Sequence, residues 1–258
     1  MIKKIIFTSL TAILFLGAAV SYFCFAGNYI NRRNEEIVCS RINVAFVDSL
    51  GYKIITEDEV LDELSSNYNV IGVKMDSLDL FNVETIISRR GEIESVNAYG
   101  DIDGNLWIDV TQRRPVVRIQ NSTEKYYSTD DFFIFPVKVF VDVPLVTGNI
   151  PTSFGKKYQG YVTDKETKVW LEKIVTIAGK IQANDFLSAQ IEQIDIGLND
   201  EIELFTRCDG PKFIFGSPDN PDEKFKKIEV YFKYIAPLRR ETQYSEVNLS
   251  FNNQIVCK

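Results

Sequence analysis

Residues 95–111, with the sequence SVNAYGDIDGNLWIDVT, contain two alternating stretches separated by a turn sequence. In each stretch apolar side chains occupy every second position, at Val96, Ala98, Leu106, Ile108 and Val110. A period of two is typical of a strand that buries one face, and an Asp-Gly pair between two such runs favours a type I′ turn at Asp103-Gly104. The segment therefore predicts a β-hairpin with one face in a hydrophobic core.

A strand and two helices are predicted upstream of this hairpin. Residues 42–46 alternate like a strand, and Thr56 and Glu59 have the spacing of a capping box at the start of a helix. A second helix is predicted over residues 82–93, with Asn82 as its cap. Both helices have apolar faces: Val60, Leu61, Leu64 and Tyr68 in the first, and Val83, Ile86 and Ile87 in the second. The order strand–helix–helix–strand–strand predicts one small domain.

The turn of the hairpin also has some features of a calcium loop, because Asp101, Asp103 and Asn105 alternate. A calcium loop has glycine at its sixth position and glutamate at its twelfth, whereas here glycine is fourth and the twelfth residue is Gln112. A plain hairpin turn is therefore the preferred interpretation.

The chain becomes richer in predicted strands beyond the hairpin. Residues 126–137 and 139–146 are aromatic and β-branched but contain Pro136 and Pro144, which predicts edge strands or kinked segments because proline cannot donate to a ladder. The remaining predicted elements are a helix over 165–181, strands over 191–196, 202–207 and 212–215, a helix from Asn220 to Pro237, a strand over 247–251, a turn at Asn252-Asn253 and a strand over 255–256. These elements predict a mixed α+β domain.

An uncharged run, residues 5–26, precedes the first domain. At about 1.5 Å per residue it spans roughly 33 Å, enough to cross a hydrocarbon core of about 30 Å. Signal peptides usually have a shorter apolar core and a small-residue cleavage site, so an uncleaved anchor is preferred to a cleaved signal. The predicted organisation is a cytoplasmic tail (1–4), a transmembrane anchor (5–26), a spacer (27–37), the hairpin domain (38–119) and the β-rich domain (120–258), with both domains outside the cytoplasm.

Composition argues against several classes of protein. The chain contains no histidine, the commonest general base and metal ligand, and it has no Gly-rich phosphate loop. Its formal net charge of −7 gives no gain from counterion release on nucleic acid. We therefore predict a protein that is not an enzyme, with no cofactor, no metal, no nucleic-acid partner and no small-molecule substrate.

Three cysteines lie outside the apolar run, and their spacing matches neither a zinc site nor a redox motif. In an oxidising exterior two of them could form a disulfide and leave one thiol. The alternative, which we favour, is that all three are small buried hydrophobes. These residues are Cys39, Cys208 and Cys257.

A basic cluster, Arg113-Arg114-Pro115 with Arg118, follows the hairpin. It has two interpretations. The arginines could dock an acidic partner, or they could hold the junction between the two domains, which is the interpretation that we favour.

Taken together, these features resemble the bacterial cell division family FtsQ/DivIB. The first domain resembles a POTRA module, and the strand beginning Arg113-Arg114-Pro115-Val116 is similar to one that closes it in the family. Three later segments resemble family patterns: Val143-Pro144-Leu145-Val146-Thr147-Gly148, Phe215-Gly216 before the helix at 224–227, and the ending from Glu246 to Asn253. Ser250, Phe251 and Asn253 depart from the arginine, tyrosine and glycine that are common there.

The resemblance implies a non-enzymatic scaffold of the divisome, anchored by one helix in the cytoplasmic (inner) membrane at the septum. Its partners would be small division proteins of the FtsB/FtsL type. A terminal strand leaves backbone groups unpaired, so a partner can add to it by β-augmentation. The predicted partner-binding residues are Val247, Leu249, Ser250, Phe251, Asn252, Asn253, Arg113 and Arg114.

Two other classes fit parts of the sequence. A POTRA-bearing component of envelope transport or assembly normally carries tandem modules or a following barrel, and neither pattern is found. An exported hydrolase released by signal cleavage would need an acid/base pair, for which the chain offers only scattered carboxylates.

Overall fold

The structure, a computed structural model, describes residues 15–27, 37–48, 50–208, 210–238 and 244–258. The chain divides into two compact units. The first comprises Met1–Asp48, Thr56–Arg89 and Ser95–Thr111, and the second comprises Ser49–Ile55, Arg90–Glu94 and Gln112–Lys258. Two short segments that precede the hairpin in sequence therefore belong to the second unit.

The N-terminal run is described only in its second half. Residues 15–27 form helix α1, and nearly all of their side chains are exposed. In the part of the chain that the structure describes, no helix has both the length and the apolar character needed to cross a bilayer. Residues 5–14 of the predicted anchor lie outside the described residues.

The first unit has the predicted order strand–helix–helix–strand–strand. Its elements are β1 (Arg41–Phe46), α2 (Glu57–Asn67), α3 (Leu80–Ile87), β2 (Ile93–Gly100) and β3 (Asn105–Gln112). Within the described residues the three strands form a sheet in the order β1-β3-β2, with β1 parallel to β3. The predicted apolar positions of β3 are confirmed, since Leu106, Ile108 and Val110 are fully buried.

The ends of the two helices are set by their caps. At α2 the predicted capping box is confirmed: the Glu59 N–H donates to Thr56 Oγ1 over 3.3 Å, and the Thr56 N–H donates to Glu59 Oε2 over 2.9 Å. The predicted limits of α3 are wrong at both ends. Its cap is Asp79, whose carboxylate accepts the N–H of Asn82 at 2.9 Å, and its last residue is Ile87, so the segment before β2 is a turn.

The hairpin turn is not of type I′. Only Gly104 has a positive φ, +81°, whereas a type I′ turn needs positive φ at both central residues. The Asp101 carboxylate closes the loop by accepting four hydrogen bonds of 2.8–3.0 Å, from the N–H groups of Asp103 and Asn105, the Asn105 side-chain amide and the Trp107 indole. The Asp101 carboxylate, which would be a ligand in a calcium loop, therefore accepts hydrogen bonds from the loop itself.

Replacing Asp101 by alanine is expected to lower the Tm at pH 7, because the turn loses these hydrogen bonds. Donation by the Trp107 indole and by Asn105 holds the pKa of Asp101 well below its usual value. The stabilisation is therefore present above about pH 4, the pKa of an unfolded aspartate, and decreases as the pH falls below it. Thermal unfolding of the wild type and of Asp101→Ala should differ at pH 7 and converge in acid. The matched change Asp103→Ala, at an exposed turn residue, should have little effect at either pH.

The second unit is built on one long sheet. Ten of its strands in the described residues follow the order β13-β12-β11-β10-β9-β7-β4-β5-β6-β8. In chain order the elements are β4 (Val117–Gln120), β5 (Lys125–Ser128), β6 (Phe133–Pro136), β7 (Leu145–Gly148), β8 (Gly160–Tyr161), α4 (Lys165–Gln182), α5 (Asp185–Gln190), β9 (Ile191–Ile196), β10 (Ile202–Thr206), β11 (Lys212–Gly216), α6 (Pro221–Val230), β12 (Glu246–Asn248) and β13 (Val256–Cys257). The mixed α+β prediction is confirmed.

Helix α4 supplies much of the core of this unit. Its buried face has the predicted helical spacing and includes Trp170, Leu171, Ile174, Ile177, Ala178 and Ile181. These side chains pack in one cluster with residues of β4, β9, β10 and β11, such as Ile119, Ile194, Leu204 and Phe213. Burial of each large aliphatic side chain is worth about 1.5–3 kcal/mol relative to exposure. The helix therefore fixes the strands on which the C-terminal part of the sheet is built.

The proline-interrupted region differs from the prediction. Strand β5 lies inside the sheet between β4 and β6, and residues 139–144 form no strand. The Tyr127 hydroxyl donates to the carbonyl of Val139 over 2.9 Å and accepts the N–H of Val141 at 2.7 Å. This buried side chain replaces a ladder partner, so the segment can pack against the sheet in an irregular form.

Two helical predictions in the second unit also needed correction. The α-helical part of α6 ends at Val230 and continues as a π turn (Tyr231–Ile235) and a 3₁₀ turn (Ala236–Leu238). The residue before Pro237, Ala236, keeps α-helical backbone angles (φ −55°, ψ −42°), so the proline does not end the helical path of the chain. Asn220 occupies the cap position of α6 but has φ +49° and makes no capping hydrogen bond through its side chain. Helix α5 was not predicted.

The cysteines outside the apolar run are free thiols, but they are not all buried. Cys39 is buried, and its desolvation raises the pKa of the thiol, whereas Cys208 is exposed and Cys257 is half-buried. The interpretation as small buried hydrophobes is therefore correct for Cys39 and wrong for Cys208.

Candidate functional site

The C-terminal strand does not form the open edge that the sequence suggests. β12 pairs in parallel with β11 and antiparallel with β13, because the chain turns at residues 252–253 and returns along it. Val247 and Leu249 are fully buried in the core of the unit. The strand at the end of the sheet order is β13 (Val256–Cys257), so any strand addition at this end has to occur there.

The turn that follows β12 is exposed. Ser250, Phe251, Asn252 and Asn253 are all accessible, and the Phe251 side chain is 45% exposed. We call these four residues together with β13 the C-terminal surface. It retains four of the eight predicted partner-binding residues in accessible positions, while Val247 and Leu249 lie beneath it.

Helix α6 holds the backbone of this surface in place. The Lys227 ammonium donates to the carbonyl of Phe251 over 2.7 Å and to that of Leu249 over 3.3 Å. It also pairs with the Glu223 carboxylate at 2.9 Å. Hydrogen bonding and charge attraction from Lys227, with a further hydrogen bond from the backbone of Asn253, lower the pKa of Glu223. Two side chains one turn apart on α6 therefore contact three positions of residues 249–253.

A glycine allows the chain to approach closely on the other side. Gly216, the last residue of β11, has φ +72°, and a Cβ built there would lie 3.1 Å from the Cβ of Ser250. Ser250 is in turn fixed by Asn248, whose side-chain oxygen accepts the Ser250 N–H at 2.9 Å and its hydroxyl at 2.6 Å. The preference of glycine for positive φ explains why this residue type suits the position.

Lys224 is a buried residue of α6 that contacts the segment around Gly216. It is 8% exposed, donates to the carbonyl of Ser217 over 2.6 Å and lies 4.9 Å above the Phe215 ring. Burial lowers the pKa of this lysine. The segments around Gly216, around residues 224–227 and around residues 246–253 therefore converge at the C-terminal surface, although they are separate in the sequence.

Replacing Lys227 by methionine is expected to lower the free energy of unfolding by about 1.5 kcal/mol, the usual worth of hydrogen bonds from a charged group. The carbonyls of Leu249 and Phe251 lose their donor, so the turn is less firmly held and the folded state is less stable. Urea unfolding of the full chain in detergent measures the change. Lys226→Met is the matched control, because Lys226 is an exposed lysine next to it on α6. Equal effects of the two changes would contradict this role of Lys227.

The two predicted arginines lie elsewhere and in different environments. The Arg113 guanidinium stacks 3.6 Å from the Phe133 ring and 4.0 Å from the Asp131 carboxylate, with 12% of its side chain exposed. Phe133 belongs to β6, near the opposite end of the sheet order from β13. Arg114 is exposed. Arg113 is thus used for packing within the second unit, and the structure brings neither arginine into the C-terminal surface.

Sequence reasoning did not assign the supporting residues Lys227, Glu223 and Asn248. A signal for Lys227 was present in the resemblance of the lysine-containing helix to the family, but its contact lies 24 residues further along the chain. Among the described residues, no group of three or more His, Cys, Asp or Glu side chains is placed to hold a metal ion.

The fold defines a class of protein, in which a small β-α-α-β-β unit accompanies a β-rich unit that ends in two short paired strands. A family model described as a POTRA-like domain matches residues 37–111. A second, described as FtsQ/DivIB, C-terminal related, matches residues 114–258, more than half of the chain. The protein therefore belongs to the FtsQ/DivIB, C-terminal related family. A search of curated proteins finds no match to the chain.

Membership of this family implies a scaffold role in the divisome. The family comprises division-site membrane proteins that act through protein–protein contacts and are typically not enzymes.

Proposed function

We propose that the protein is a bitopic scaffold that binds small division proteins of the FtsB/FtsL type through its C-terminal surface. The observation that carries the proposal is the attachment of Leu249, Phe251 and Asn253 to helix α6 by Lys227 and Glu223. An ordered backbone beneath an exposed aromatic side chain is typical of a binding surface, because little conformational entropy is lost when a partner binds. A partner strand would add to β13, and the Phe251 ring would select its side chains.

The proposal includes a transmembrane anchor at residues 5–26 that precedes both domains. In this arrangement the tail of residues 1–4 is cytoplasmic, both domains face outward, and the protein lies in the inner membrane at the septum. Confinement to the membrane plane raises the effective concentration of the scaffold towards partners in the same membrane. Through these partners the scaffold would connect cell-wall synthesis at the septum to the division ring.

Depletion of the protein in its host tests the function. Filamentous cells without septa are the expected result, and normal septation after full depletion would contradict a divisome role. N-terminal sequencing of the mature protein tests the anchor separately, because cleavage before Gly27 would show that residues 5–26 are a signal peptide.

A further inference from the structure

A cavity of about 350 Å³ in the second unit is distinct from the C-terminal surface. Its walls include Arg114, Pro115, Asp142, Pro144, Ile181 and Arg207. Among the described residues that line it, two are arginines and one is acidic, so the cavity has a positive excess in a protein whose formal net charge is −7. A local charge opposite to that of the whole chain points to a ligand of negative charge.

One of the two arginines is held in place. The Arg207 Nε donates to the carbonyl of Ser188 over 3.0 Å, and its Nη2 donates to the Asp142 carboxylate over 2.8 Å. Both partners also line the cavity. Asp142 therefore neutralises Arg207, and the guanidinium is fixed without help from a ligand.

The other arginine is exposed, and in the described part of the chain it makes no hydrogen bond or ion pair. Its neighbours hold its backbone firmly: Arg113 is stacked on Phe133, and Pro115 is buried. Arg114 therefore presents an exposed planar donor fork on a segment whose neighbouring residues are packed. Such a fork matches a carboxylate through two parallel hydrogen bonds.

The net charge of the cavity indicates which kind of anion it binds. With Arg207 neutralised by Asp142, Arg114 offers a single positive charge, which suits a carboxylate better than a doubly charged phosphate. The buried side chains of Pro115, Pro144, Ile181 and Ile191 line the same cavity and lower the dielectric around that charge.

We propose that this cavity binds the carboxylate of a glutamate or aspartate side chain on a partner polypeptide. The inference rests on the proposed function in one respect, namely that the ligand belongs to a protein. It assigns Arg114 to a second binding site, with Arg207 as a positioning residue, and it does not require binding at Phe251.

The test uses the full chain in detergent micelles and a fluorescently labelled peptide with one glutamate between two valines. Anisotropy compares it with the same peptide carrying glutamine. In the wild type the glutamate peptide should bind about tenfold more tightly, the effect expected of a charge-assisted pair. Arg114→Gln should abolish this preference. Arg41→Gln, which removes an exposed arginine of the first unit, should keep it, as should Phe251→Ala.

Equal binding of the two peptides by the wild type would overturn the proposal, as would a preference that survives Arg114→Gln. Displacement of the glutamate peptide by inorganic phosphate more strongly than by acetate at equal ionic strength would also overturn it. Phe251→Ala is predicted to leave the preference for the glutamate peptide intact. A failure of the cavity proposal can therefore be distinguished from a failure of partner binding at the C-terminal surface.

Discussion

Replacing Phe251 by alanine is expected to weaken binding of the division partner about 30-fold, which corresponds to about 2 kcal/mol. The Phe251 ring is 45% exposed, whereas its carbonyl is held by Lys227 at 2.7 Å. The ring therefore projects from a backbone that is already ordered. Large aromatic side chains on rigid supports are frequent hot spots, because they bury much apolar area at a small entropic cost.

The measurement is the dissociation constant of the purified full chain with a partner of the FtsB/FtsL type, both in detergent. Phe81→Ala is the matched control, since Phe81 is a phenylalanine of the first unit that is 77% exposed. The control should bind like the wild type. Unchanged binding by Phe251→Ala, or an equal loss in Phe81→Ala, would contradict the assignment of the C-terminal surface.

Replacing Gly148 by alanine is expected to destabilise the second unit by about 3 kcal/mol or more, through backbone strain and a steric clash. Gly148 ends β7 with φ +90°, and it lies opposite Ile196 of β9 in the ladder. A Cβ there would overlap the carbonyl oxygen of Ile196 and lie 2.8 Å from its nitrogen. β9 is paired with β7 on one side and β10 on the other, so its backbone cannot move away.

Gly179→Ala is the matched control and should have the opposite sign. Gly179 lies inside α4, where a Cβ would meet Val116 Cγ1 at an ordinary 3.9 Å. Alanine at such a helical site stabilises by about 0.5–1 kcal/mol. Urea unfolding followed by circular dichroism measures both changes. If the Gly148→Ala protein were as stable as the wild type, the close approach of β7 and β9 at Gly148 would not be needed for the stability of the second unit.

Local patterns explain how much of the fold was predictable. The capping box at Thr56 and the alternation in β3 involve neighbours in sequence, and both predictions are confirmed. The turn type was wrong because the Asp101 side chain, rather than Asp103-Gly104 alone, determines the loop. For residues 139–146 the sequence left an edge strand and a kinked segment open; only Leu145 and Val146 lie in a strand, and residues 139–144 are irregular because Tyr127, more than ten positions away, satisfies part of their backbone.

The site was predictable only in part, for a related reason. The sequence marks residues 250–253 as a turn after a strand, and these residues are exposed. It also predicts a strand after that turn, but the register in which this strand pairs with β12, Val247 opposite Cys257, cannot be read from the local pattern. The contacts from α6 to Leu249 and Phe251 join segments that no local pattern connects. The role of the predicted residues in binding stays a prediction.

Photo-crosslinking in living cells tests the central claim most directly. A photoreactive amino acid placed at position 251 should give a covalent adduct with a small division protein of the FtsB/FtsL type. The same amino acid at position 198, where Leu198 is 81% exposed, should give none. Adducts to that partner from position 198 but not from position 251 would contradict the account.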